Sequence, residues 1–487
     1  MLRVKTKDVL KNVFYTAKGN LPEYICGITN NSNTVKKGFI YVAIPGCRTD
    51  GHNFIGEAAK KGASIAIVER FVENIDIPQI KVENARKVLS KISANFYGHP
   101  SKNLNVIGVT GTNGKTSFVY ILSKILLSAE KKTGTIGTLG FTILDKFYST
   151  DLTTPESFQI HSIMYKFVEN GIEYAIMEVS SHSLELNRVN DIDFDVGVFT
   201  NISHDHLDFH KTMDAYVRAK TKLFQLIPEK GFCLINLDDR FAERFMEATK
   251  CVTYTYSISD YNAHFYWEYV QEAEDGIKGI INAMGSKIHI ESRLSGKFNL
   301  YNILCSCACA HLLGIEAKTI LKGVESIERI PGRLEEFRAP GKPRIFVDFA
   351  HTPDAFENVL NALTHLRKDK GNLITVFGCG GNRDRRKRSK MAKTAEKYSS
   401  LCVVTNDNPR FEDPDEIIKD ILSGFSNKAN YIVIKDRKEA IEYAIREANE
   451  NDIIAILGKG HENYQEIKGV KHPYSDIDVV KELYGLK

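Results

Sequence analysis

One stretch narrows the folds open to this chain more than any other: residues 105–127, NVIGVTGTNGKTSFVYILSKILL. A short, β-branched apolar run passes through Gly111 and Gly114 directly into an apolar segment free of glycine and proline. Strand, glycine turn and helix start, in that order, aim backbone N–H groups and the positive end of a helix at one spot, the arrangement that binds phosphate. The strict pattern G-x-x-x-x-G-K-[ST] asks for a glycine at 109, where the chain has Val109, while Gly111, Gly114, Lys115 and Thr116 are kept. In a loop made of Gly111, Thr112, Asn113 and Gly114, Lys115 is expected to meet the β- and γ-phosphates of a nucleoside triphosphate and the Thr116 hydroxyl a Mg²⁺. The alternative, a glycine turn with a solvated lysine, leaves the flanking strand and helix without purpose.

A chain of 487 residues with 43% apolar residues exceeds what one core serves, and three domains fit best. Residues 1–100 alternate short apolar runs (KGFIYVAIP, ASIAIVE, QIKVEN) with turns and end at HPSKN. Residues 101–332 carry the strands NVIGVT, YAIMEV, FDVGVFTN and GFCLINLDD with helical spacers, and IPGRLEEF reads as a hinge. Residues 333–487 alternate again, through RIFVDFA, LITVFG, LCVVTND and IIAILGKG. This is an α/β chain of helix-covered, mostly parallel sheets: a small N-terminal domain, a central phosphate-loop domain and a C-terminal Rossmann-like domain.

The formal charge of +4 argues for no nucleic-acid or membrane partner. The basic run RDRRKRSK at 383–390 has no interleaved aromatics and is not read as a nucleic-acid patch. The nine cysteines form no C-x-x-C pair, so Cys305, Cys307 and Cys309 in an apolar helical run are expected to be buried thiols of a reducing compartment. No run reaches the length of a membrane span and the first residues are charged, which leads to the expectation of a cytoplasmic protein, monomeric by default.

Other strand ends carry chemistry. YAIMEVSSHSLELNR sets Glu178 at a strand terminus, suited to holding Mg²⁺ beside the phosphates, although the serines after it also suit a helix cap. FTNISHDHLDFH gathers His204, Asp205, His206, Asp208 and His210 without cysteine, favouring a hard cation near nucleotide over zinc. DAYVRAKTKLFQLI reads as a helix bearing Lys220 and Lys222. In the last domain the loops DFAHTPD, GCGGNRDR, NDNPRFEDP and GKGHE each follow a strand, and such loops converge at the carboxyl edge of an open parallel sheet.

GVTGTNGKT, EVSSH, TNISHDHLD, GKFNLYN, IPGRLE, VDFAHTPD, DNPR and GKGHE, in this order over nearly the whole chain, resemble the Mur ligases of peptidoglycan synthesis, and within them the MurE branch that adds the third stem-peptide residue. The resemblance implies ATP-driven amide formation through an acyl phosphate. It implies that Lys115 neutralises the phosphates, that Thr116 and Glu178 hold one Mg²⁺, and that His206 and a carbamylated Lys220 hold a second. Asn302, Arg333, Asp348 and His351 would attend the nucleotide. Ser32, Thr153, Thr154, Ser180, His182 and Arg188 would bind UDP-MurNAc-L-Ala-D-Glu. Asn31-Ser32-Asn33 replaces the family's D-S-R, and Leu186 stands where some members have glutamine. Arg383, Asp407, Asn408, Pro409, Arg410, Gly458 and Glu462 would bind meso-diaminopimelate, whose distal carboxylate suits an arginine fork that lysine could not satisfy. A lysine-adding enzyme or a paralogue on a related carboxylate is the first alternative. A folylpolyglutamate synthase-like ligase and a non-catalytic nucleotide-binding regulator follow.

Overall fold

The computed structural model describes residues 2–46, 49–144, 146–150, 152–273, 276–366 and 371–486. Its largest sheet is built around the opening motif. Asn105–Thr110 lies between Tyr174–Glu178 and Val196–Phe199, and the parallel array continues to Thr133–Gly137 on one side and to Phe232–Asn236 and Val252–Ser257 on the other. Burial on both faces explains strands that are apolar throughout rather than alternating. Helix Lys115–Ser128 packs across this sheet against Lys297–Leu312. Phe118, Ile121, Leu122 and Ile125 are fully buried there, each contributing about 1.5–3 kcal/mol. Cys305, Cys307 and Cys309 lie buried on the facing helix as free thiols, and burial pushes the Cys305 thiol up to about 12. Cys47 falls outside the described residues.

Sequence periodicity did not show how far this sheet extends. The hairpin strands Gly140–Ile143 and Lys146–Tyr148 continue one edge, and Phe265–Ala273, Gly276–Ala283 and Ser286–Ser292 the other, giving eleven strands with antiparallel margins. Ser286–Ser292 alternates exposed and buried residues and Lys146–Tyr148 is exposed throughout, so such strands lack the continuous buried apolar runs of the parallel ones.

Before this unit stands a five-stranded sheet in the order Thr16–Lys18, Gln79–Lys81, Ala63–Val68, Phe39–Val42, Gly27–Thr29, covered by helix Ala85–Phe96. After it stands a six-stranded sheet in the order Glu335–Phe337, Arg344–Asp348, Ile453–Leu457, Leu373–Phe377, Leu401–Val404, Tyr431–Val433, parallel except for its first strand. The segment IPGRLEEF bends at a bridge between Ile330 and Arg333 and then supplies that edge strand. The basic run 383–390 is engaged within the fold: Arg388 is fully buried between Asp420 (2.8 Å) and Glu412 (2.9 Å), and Arg385 also pairs with Asp420. Among the described residues no helix is long and apolar enough to cross a membrane.

Candidate functional site

Val109 stands where the strict phosphate pattern wants glycine because the strand has not yet ended: it is fully buried and pairs with Glu178 and Val198 on its two neighbours. The turn starts two residues later. Gly111 has φ +150°, and a Cβ there would lie 1.8 Å from Thr200 Oγ1; Gly114 has φ +87°, and its Cβ would meet Asn302 Oδ1 at 2.7 Å. Both positions need glycine for conformation and for space. Thr200 Oγ1 donates to Asn113 O (2.7 Å), and Asn113 N donates to Asn201 Oδ1 (3.0 Å), tying the loop to the next strand end.

Lys115 Nζ donates to Gly111 O and Thr112 O, both at 2.8 Å, and burial lowers its basicity. Thr116 Oγ1 donates to Glu178 Oε1 at 2.9 Å and accepts from Arg333 Nη2 at 2.9 Å, joining three distant parts of the chain. Lys220 is fully buried on helix Met213–Gln225 with Nζ donating to the same Gly111 O at 2.7 Å; burial, then the Lys115 charge, depresses its basicity far below the ordinary range. His206, at φ +54°, has its ring 4.8 Å from the His182 ring and Nε2 3.3 Å from Asp205 Oδ2, and burial holds it neutral. Burial alone would raise the Asp205 carboxyl, but the Lys387 ammonium (3.7 Å) and the His206 backbone N–H, which donates to Oδ1 at 2.9 Å, favour the ionised form and lower it instead. His206 and His210 are four residues apart with a helical turn between them, yet His210 Nε2 faces Ser181 Oγ (2.9 Å), and among the described residues no three or more His, Cys, Asp or Glu side chains gather where they could hold a metal ion.

The C-terminal loops meet this region from the other side. Asp348 accepts from Leu334 N (2.7 Å) and Ala350 N (2.6 Å), and burial raises its carboxyl. His351 Nδ1 lies 2.7 Å from Phe349 O, and burial lowers the ring to about 4. Arg410, at φ +53°, donates through Nε to Glu466 Oε2 (3.1 Å) and through Nη1 to Gly381 O (2.9 Å). Burial, then the Arg410 charge, lowers the Arg383 guanidinium. Asn408 donates to Glu462 Oε2 (2.8 Å), and the fully buried Lys459 donates to Asn408 Oδ1 (3.1 Å) and Glu462 Oε2 (2.9 Å).

One cavity of about 1170 Å³ is lined by Thr112–Thr116, Thr153, Glu178, Ser180, His206, Lys220, Asn302 and Arg333 on the central side. On the C-terminal side it is lined by Asp348, His351, Arg383, Asp407, Asn408, Arg410, Gly458 and Glu462. Gly111, Thr154, His182, Arg188 and Pro409 stand behind its wall. Thr154 Oγ1 bridges Glu178 O and Ser180 N, Arg188 donates to Thr154 O (3.2 Å) and pairs with Glu156 (2.8 Å), and Ser180 caps its helix through Ser183 N. Ser32 is not brought to the cavity; it is buried in the first sheet's domain, donating to Glu57 Oε2 at 3.2 Å. Sequence reasoning missed Thr138, Asp205 as a charged anchor, Lys387, Lys459 and His461, although Lys459 and His461 stand inside the quoted GKGHE.

A protein of Aquifex aeolicus named UDP-N-acetylmuramoyl-L-alanyl-D-glutamate--2,6-diaminopimelate ligase is 44% identical over 480 residues, covering 97% of this chain and 96% of that one. This chain belongs to the Mur ligase family. Residues 24–97 match the Mur ligase family catalytic domain, 109–310 the Mur ligase middle domain and 332–460 the Mur ligase glutamate ligase domain. A solved structure of the same name as the Aquifex protein superposes with a TM-score of 0.67 at 30% identity over 99% of both chains. The Mur ligase fold is wider than that activity: a Mycobacterium tuberculosis folylpolyglutamate synthase complexed with ADP and AMPPCP matches 82% of this chain at TM-score 0.65 but only 18% identity.

Proposed function

We propose that this Mur ligase uses ATP to join meso-diaminopimelate to the D-glutamyl carboxyl of UDP-MurNAc-L-Ala-D-Glu, in the cytoplasm. The observation that carries the reading is a single cavity with a phosphate loop at one wall and a paired-arginine, carboxylate-bearing pocket at the other. Residues 1–100 are assigned to the UDP-sugar end, 101–332 to ATP and 333–487 to the amino acid, with Ser32, Thr153, Thr154, Ser180, His182 and Arg188 attending the UDP-dipeptide.

The residues fit Mg²⁺. A threonine hydroxyl and a carboxylate 2.9 Å apart offer hard oxygen donors, and such ions keep the rest of their shell for water and phosphate. His206 is neutral and able to coordinate, but Lys220 as an amine is a poor ligand for a hard ion. Its burial favours the neutral amine, the form that adds CO₂, and the resulting carbamate would carry carboxylate-like oxygens. When bound, Mg²⁺ supplies charge neutralisation as two anions approach.

Lys115 gathers the phosphates, and Gly111 and Gly114 let backbone N–H groups face them. The substrate carboxylate attacks the γ-phosphorus and ADP leaves; the amine then attacks the acyl carbon and phosphate departs. His351 donates through Nδ1 to Phe349 O, which leaves a bare Nε2 as a proton acceptor beside the cavity. Arg383 and Arg410 pair the distal carboxylate of diaminopimelate, and Glu462 accepts from its ammonium. Incubation with ATP, UDP-MurNAc-L-Ala-D-Glu and a panel of diamino acids, followed by mass analysis, tests the reading; no tripeptide product, or equal use of lysine and diaminopimelate, would overturn it.

A further inference from the structure

The GKGHE loop reaches both ends of the cavity. Lys459 and Glu462 belong to the amine end, whereas His461, between them, crosses to the central domain: its Nε2 lies 3.1 Å from the backbone oxygen of Thr138. A carbonyl only accepts, so Nε2 carries the hydrogen and Nδ1, buried and without a partner, is bare. The ring is neutral, burial lowering it to about 4, and it sits 5.3 Å from the Phe349 ring. Space around it is tight, since a Cβ on Gly332 would come within 2.5 Å of His461 N.

Thr138 is the residue that orients Glu178. Its backbone N–H donates to Glu178 Oε1 at 2.8 Å and its hydroxyl to Oε2 at 3.1 Å. Glu178 Oε1 in turn accepts from Thr116 of the phosphate loop. A chain of hydrogen bonds therefore runs from the amine-binding loop through His461 and Thr138 to the carboxylate beside the phosphates, over a sequence separation of 323 residues at its first step. His461 bonds the Thr138 carbonyl and Glu178 accepts from its N–H and hydroxyl, so the link passes through the placement of that one residue.

We propose that His461 is a positioning residue that couples docking of the amine-binding loop to the orientation of Glu178, so that the phosphate end of the cavity is completed only when the C-terminal domain is seated. His461 also lines the cavity, but in this role it acts through Thr138 and not on a reacting atom. The inference rests on the functional reading above for its kinetic consequence but not for its structural one, and two readouts separate them.

The first readout is hydrogen–deuterium exchange of the segment 134–142 in the full chain, which reports the Thr138 amide bond to Glu178. His461→Ala should speed exchange there, and His461→Gln, whose amide can still donate to Thr138 O, should restore protection. The second is the amine-independent half reaction, read as positional isotope exchange in ATP with UDP-MurNAc-L-Ala-D-Glu present. His461→Ala should slow it by about tenfold, the scale of one buried hydrogen bond, with the KM for the amine unchanged and the glutamine variant within about twofold of wild type. Wild-type exchange and wild-type half reaction in His461→Ala would overturn the proposal, as would a defect confined to the amine KM. A wild-type enzyme that forms no amide would sink the functional reading while the exchange experiment still judged the link.

Discussion

Replacing Arg410 with alanine tests the amino-acid assignment most directly. Arginine and alanine share the cost of the left-handed φ of +53°, so the backbone has no reason to move, and the bonds from Arg410 N to Glu466 O (2.9 Å) and from Lys468 N to Arg410 O (2.6 Å) remain. What is lost is a guanidinium facing the cavity. Truncating one partner of a buried charge pair costs about 2–5 kcal/mol. Here the lower end applies, because Arg410 is already paired with Glu466 and its side chain is 16% exposed, so its charge is partly compensated without substrate. A loss of about 2–3 kcal/mol corresponds to roughly 30- to 150-fold in kcat/KM, at 1.36 kcal/mol per factor of ten. Initial rates at saturating ATP and UDP-dipeptide, with meso-diaminopimelate and with L-lysine, give both specificity constants. Diaminopimelate should suffer that loss while residual lysine turnover changes far less, Arg383 still repelling the distal ammonium. Equal losses on both amines, or a wild type that uses lysine as well as diaminopimelate, would refute the reasoning.

Lys220→Arg should abolish the half reaction, because a guanidinium neither forms a carbamate nor coordinates a hard cation; more than a few per cent of wild-type isotope exchange would exclude the carbamate role. Gly114→Ala combines a φ of +87° with a Cβ 2.7 Å from Asn302 Oδ1, so ATP affinity measured by calorimetry should fall at least tenfold with the fold intact. His161 is fully buried with both ring nitrogens unpartnered, and burial lowers it to about 3. Its folded pKa is below its unfolded value near 6.5, so stability is fully present above that value and declines as pH falls toward 3. His182 and His210, both lowered by burial to about 4, act in the same direction. Thermal midpoints should therefore drop steadily from pH 7 to pH 4, and His161→Leu should flatten that slope and add about 1–2 kcal/mol at neutral pH; a slope unchanged by the substitution would show that His161 is not its source.

The phosphate loop was legible because everything that makes it lies within some twenty consecutive residues: a β-branched strand, two glycines, then a helix. Local steric rules act over that range, and even the missing glycine at 109 has a local reason, since Val109 still belongs to the strand. The carboxyl-edge loops of the last sheet were legible for the same reason, each strand announcing its end by a change from apolar to polar residues. Sequence could name Glu178, Arg333 and Thr116 as candidates, but only the fold set Thr116 between the other two across separations of 62 and 217 residues. The antiparallel margins of the central sheet, the inward pairing of Arg388 and the burial of Lys459 were likewise decided by packing, because hydrophobic periodicity reports which face of an element is buried and not what it is buried against. His461 shows the limit most plainly. Its motif is visible in the chain, yet its partner is the carbonyl of Thr138, and a backbone oxygen leaves no trace in the amino-acid sequence.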